Sequence, residues 1–203
     1  MLGHADLPPG YPPDVDPITQ RVLTAVEKSS VVRAIDSAAT DATRDLVPRP
    51  GSWWHGAWLG HALHPILTEF PLGAFASATV LDLVGGHRSR PAAALLVGTG
   101  LVTSAPVVAS GFADWSKMDG PDRQVATAHG ATNAVALVLF AGSLVARGAQ
   151  LHRTGTKLAL LGNLVAGASG YLGGHLTMNR GAAQRMDPTP PEAVRDLGAE
   201  TVR

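Results

Sequence analysis

This chain of 203 residues is short of charge, of cysteine and of aromatic bulk. Charged side chains make up 16% of it, against about 25% in ordinary soluble domains. The shortfall is concentrated. No Asp, Glu, Lys or Arg occurs from Pro91 to Ala113, from Gln124 to Ala146 or from Leu158 to Asn179. A soluble helical bundle needs charged outer faces, and these stretches have none to offer. The absence of cysteine excludes disulfides, thiolate-ligated haem and all-cysteine iron–sulfur centres within the chain. Net charge is zero with no basic stripe, so nucleic acid is not an expected partner. The N-terminus has no basic segment leading into an apolar run. No cleaved signal peptide is expected, and the apolar spans themselves would direct insertion.

What is there is apolar and small. Each uncharged stretch exceeds the ~20 residues needed to cross a bilayer. Each is rich in Gly, Ala, Ser and Thr, which let helices pack closely in lipid. The expected fold is all-α: a four-transmembrane-helix up-down bundle preceded by an amphipathic N-terminal helix. Residues 1–16, rich in Pro, Gly and Asp, are expected to lack structure. Residues 17–50 read as one amphipathic surface helix, with Ile18, Val22, Ala25, Val26, Val32, Ile35, Ala39, Ala42 and Leu46 near a 3.6-residue period and Pro48 and Pro50 ending it. Residues 51–178 form the membrane domain, with spans at about 65–84, 91–113, 125–146 and 158–176. Residues 179–203 read as a polar tail. Trp53, Trp54 and Trp58 before the first span, and Trp115 after the second, mark the membrane interface, where indole is apolar in body and polar at its N–H.

Four spans joined by short loops alternate in direction. The start of the first, the end of the second, the start of the third and the end of the fourth therefore share one side, here side A. It collects His61, His64, Glu69, Asp114, Trp115, His129, Asn133, Tyr171 and His175. The other side, side B, carries His87, Arg88, Arg90, Arg147, His152, Arg153 and Lys157, read as ordinary loop charge. Imidazole is a ligand for haem iron, zinc, copper and non-haem iron. His61 and His64 lie on one helix face and cannot hold opposite faces of one haem, so an axial pair needs His129 or His175 from another helix. Glu69 is an intramembrane carboxylate and hence a functional candidate. Asn133 and Asp114 are candidates to support the imidazoles. The plainer reading of the same residues is a polar cluster that sets helix register. Gly162, Ala166, Gly170 and Gly174 recur every fourth residue on the last helix and read as a packing groove.

The series HGAWLGHALHPILTEFPLGAF, GFADW, His129 with Asn133 opening a helix, and GYLGGHL resembles the domain of unknown function 2231 family, across about residues 55–180. That family is one of bacterial four-helix membrane proteins. The resemblance implies a multi-pass protein of the bacterial cell membrane. Some relatives carry a Rieske-type iron–sulfur domain and others cytochrome-like modules, which implies electron transfer and a b-type haem. The family's repeated polar positions fall on His61, His64, Asp114, His129 and His175. Ala62 stands where relatives usually have proline. Glu69 falls where they vary among Asp, Gln and His. With no cysteine here, an iron–sulfur or cytochrome partner would be a separate protein.

Three functions compete at this point: a redox subunit holding haem b, a metal-binding or ion- or proton-conducting protein, and a structural membrane scaffold. No nucleophile is paired with a base, so an enzyme is not expected. Orientation stays open. Side B has five Lys or Arg in its two loops and no acid, which argues for a cytoplasmic side B, while side A has Arg44, Arg49, Lys117, Arg123, Arg180 and Arg185 near its ends. That orientation would send about sixty N-terminal residues across the bilayer.

Overall fold

The computed structural model describes residues 16–46, 53–59 and 62–182, all of it helix and turn. Six α-helices follow in order: α1 (Pro17–Lys28), α2 (Ser30–Thr43), α3 (His64–Val84), α4 (Arg90–Lys117), α5 (Gly120–Gly148) and α6 (His152–Gly174). A π-helical turn, His175–Asn179, ends the described chain together with a short loop.

The expected single N-terminal helix is two helices. Ser29 is the break. Its backbone is extended, and its hydroxyl accepts from Val32 N–H, so it caps α2 while closing α1. A serine whose side chain can replace a lost helical partner makes such a break cheap. Asp16 caps α1, accepting from the N–H groups of Ile18 and Thr19. The Ile18 bond, then the Thr19 hydroxyl and N–H, hold its carboxyl below the usual range. The anchor of α1 is Leu23, fully buried among Val125, Ala126, Leu172, Leu176 and Ala182. Ile18 and Val22 of the expected stripe stay exposed. Polar ties hold the rest. Thr19 hydrogen-bonds Tyr171, and Asp36 accepts from Arg123 and from Thr127.

Three helical stretches are long and apolar enough to cross a membrane: His64–Val84, His87–Ser116 and Gly120–Gly148. Asn163, Tyr171 and several glycines make α6 less apolar, and it falls outside that group. α3 pairs with α4 and α5 with α6, while α4–α5 and α3–α6 contacts join the pairs. At mid-height the core is Phe75, Ala78, Val97, Ala136, Phe140 and Ala159. Phe75 and Phe140 stack face to face, with ring centroids 3.6 Å apart and planes 1° from parallel. Exposed faces carry Phe70, Val80, Leu95, Val102, Val138 and Leu164, side chains suited to acyl chains.

Arg147 overturns its reading as loop charge. It is fully withdrawn from the surface and grips Asp82 of α3 with both terminal nitrogens, the two side chains 2% and 4% exposed. Its Nε donates to Ser143 Oγ, which donates to Gly155 O. A charge this near an apolar phase persists only when paired, and Asp82 supplies the pair.

A histidine pair at one end of the bundle

His64 opens α3, and its ring lies against the backbone of α4. Nδ1–H donates to Val107 O at 2.9 Å, with Ser110 Oγ 3.4 Å away. The close approach requires Gly111, because a Cβ there would stand 2.7 Å from His64 Cε1. His129, early in α5, repeats the arrangement on α6. Its Nδ1–H donates to Ser169 O at 2.8 Å, and Gly173 has no Cβ to collide with the ring, which would otherwise sit 2.8 Å away. Ser169 Oγ donates to His129 O, tying the two helices once more.

The partners decide the tautomers. A carbonyl oxygen only accepts, so the proton is on Nδ1 in both rings and the lone pair is on Nε2. In His129 that lone pair accepts from Asn133 Nδ2 at 3.0 Å. The rings come together edge to face, centroids 6.2 Å apart and planes at 87°. An Nδ1–H donated to a backbone carbonyl is also the usual outer support of a metal-bound imidazole, because it fixes the ring and raises the basicity of Nε2.

The other expected site residues divide. His175 is buried, and its Nε2 accepts from Arg180 Nε at 3.1 Å. Arg180 also pairs with Asp122 of α5 and Glu27 of α1, so this histidine belongs to an ion network joining α1, α5 and the C-terminal turn. Asp114 is buried on α4. Glu69 is exposed on α3, as are its neighbours Ile66 and Phe70. His61 lies outside the described residues. Among the described residues no group of three or more His, Asp or Glu could hold a metal ion. The protein atoms offer a pair of imidazoles.

The tryptophans divide as well. Trp53 and Trp58 are exposed, with Trp58 Nε1–H donating to Trp53 O. Trp115 is half-buried; its Nε1–H donates to Thr127 Oγ1, and the Arg123 guanidinium lies 4.0 Å over its ring. The groove expected on α6 is also redrawn. Gly162 faces Phe140, but nothing stands within 4 Å of a Cβ at Gly170 or Gly174. The buried face runs instead through Gly155, Ala159, Gly162 and Ser169, with Gly173 against His129.

Sequence reasoning found both histidines and Asn133. It missed Val107, Ser169, Gly111 and Gly173, which act through a carbonyl or through the lack of a side chain. A spacing signal for the two glycines was present: Gly100 to Gly111 and Gly162 to Gly173 are equal steps.

No curated protein and no solved structure matches the chain. A family described as predicted membrane protein (DUF2231) matches residues 60–185, a stretch that holds all four long helices and both members of the histidine pair. A bundle whose helices turn apolar faces outward and bury their polar groups is what that description requires, and the chain belongs to this family of membrane proteins.

Proposed function

We propose that this protein is a four-span subunit of the bacterial cell membrane that holds a b-type haem between His64 and His129 and passes electrons at side A. The observation that carries the reading is the pair itself. His64 and His129 are the residues that would hold the iron, since imidazole is a haem ligand. The rings of His64 and His129 meet edge to face with centroids 6.2 Å apart, on different helices and each with Nδ1–H anchored; His64 Nε2 would be one donor to the iron, and His129 Nε2, which accepts from Asn133, the other once that bond is released. When bound, haem iron supplies one-electron chemistry. The residues of the chain supply the rest. Val107 and Ser169 hold the two imidazoles in the ligating tautomer, and Gly111 and Gly173 give the rings room against the backbone. Asn133 occupies the His129 lone pair and has to turn aside for a metal to bind. The electron partner is a separate iron–sulfur or cytochrome protein, and the remaining surface meets lipid.

One observation favours a second reading, a scaffold. Both nitrogens of His129 are already satisfied by protein groups. The absorption spectrum of the full-length protein, purified after haem-replete expression, separates the two. The haem reading expects a Soret band that His64→Ala or His129→Ala weakens or shifts. A colourless wild-type protein overturns it. Metal analysis of the same sample identifies a non-haem ion bound in place of haem.

A further inference from the structure

We infer that the membrane bundle is one helical hairpin used twice, α3–α4 and α5–α6, and that the two halves meet on an approximate two-fold axis and bind a single ligand there through one imidazole each. The second clause rests on the histidine reading above; the first does not.

The equivalence is residue by residue. His64 and Phe75 are eleven residues apart, as are His129 and Phe140, and eleven residues is about three helical turns, so each pair shares a face. Phe75 packs on Gly100 of α4, and Phe140 packs on Gly162 of α6; an added Cβ at either glycine would collide with the ring. His64 packs on Gly111, and His129 on Gly173, eleven residues beyond those glycines. The carbonyls that accept from the two imidazoles, Val107 and Ser169, each stand four residues before that glycine. Two hairpins built independently have no reason to repeat a histidine, a phenylalanine, two glycines and an accepting carbonyl in one register.

Equivalent residues also touch one another, as they must on a two-fold axis. His64 meets His129, Phe75 stacks on Phe140 with planes 1° apart, and Asp82 pairs with Arg147. These three contacts run from side A through the middle to side B. The last is where the halves have diverged. Two identical hairpins would set Asp against Asp or Arg against Arg in a buried position, which is prohibitive. Opposite charges at equivalent places commit each half to the other within one chain. The site at the opposite end has kept its two like residues. Like residues on an axis would present one ligand with an imidazole from each half, His129 being available once Asn133 releases its Nε2, and such a pair would suit the iron of a haem.

The test uses the full chain in detergent micelles, with haemin as the probe. Haemin titration is expected to saturate at one per chain with a six-coordinate, low-spin spectrum. His64→Ala and His129→Ala are each expected to convert it to the five-coordinate, high-spin form, and His175→Ala to leave it low-spin. Two haemins per chain, or a spectrum that depends on one of the two histidines alone, would overturn the shared axial site. The repeat is tested without any ligand by nitrogen NMR of labelled histidines. Both rings are expected in the Nδ1–H form, with Gly111→Ala shifting the His64 resonances and Gly173→Ala those of His129. Different tautomers, or one glycine substitution perturbing neither ring, would overturn the equivalence of the halves. Matching tautomers in a protein that takes up no haemin would leave the repeat standing and sink the haem site.

Discussion

Arg147 shows how much a single residue depends on its surroundings. Alone in the sequence it is one more cation near a loop; in the fold it is held by Asp82 from another helix and by Ser143 from its own. Arg147→Ala leaves the Asp82 carboxylate buried without its cation. It should cost about 3–5 kcal/mol in denaturant unfolding followed by tryptophan fluorescence in micelles. Asp82→Leu combined with Arg147→Met should recover most of that loss, since apolar residues of similar volume replace a buried pair at little cost. A single variant as stable as the parent would show that the pair is open to water. Phe75→Ala removes one face of the mid-bundle stack and should cost about 3–5 kcal/mol by the same measurement. The histidines were legible because few residue types do what imidazole does at a membrane boundary. Their supports were not, because a carbonyl oxygen carries no residue identity and a glycine signals only by what it lacks.

At the scale of elements, α1 and α2 are held to the bundle by few contacts, and those contacts set their behaviour. Leu23→Ala should cost about 2–5 kcal/mol of docking, seen as loss of amide protection confined to α1 and α2. The cap of α1 is pH-dependent with a defined sign. The Asp16 carboxyl titrates lower in the folded chain than in the unfolded one. Its stabilisation is therefore present above the ordinary carboxylate range and lost as pH falls through the folded value. Amide exchange in the first turn of α1 should accelerate over that acid window in the parent and be fast throughout in Asp16→Ala. Exchange there that does not respond to acid would remove the cap from the account. The long helices were legible from their missing charge alone. The division of the N-terminal helix at Ser29 was not, because serine is tolerated inside helices and caps them equally well, and only the backbone shows which was chosen.

For the whole molecule, three helices are long and apolar enough to cross a membrane, and a fourth crossing by α6 would return the residues before α3 and after α6 to one side of the bilayer. Reporter fusions joined after Thr43 and after Arg180 should score on the same side; opposite sides would mean that α6, the least apolar of the four, does not cross. The sequence by itself determined that this chain enters a membrane as a bundle of helices, because long stretches without charge have no other stable setting. It also brought the ends of α3 and α5 that carry His64 and His129 to a shared level, because alternating helices return their ends to one side. Only the tertiary structure decided which polar groups meet. His64 found His129, and His175 went to Arg180, because ring-to-ring approach depends on which glycines of the neighbouring helix lie beneath. That depends on helix rotation, which a hydropathy pattern apolar on every face leaves open.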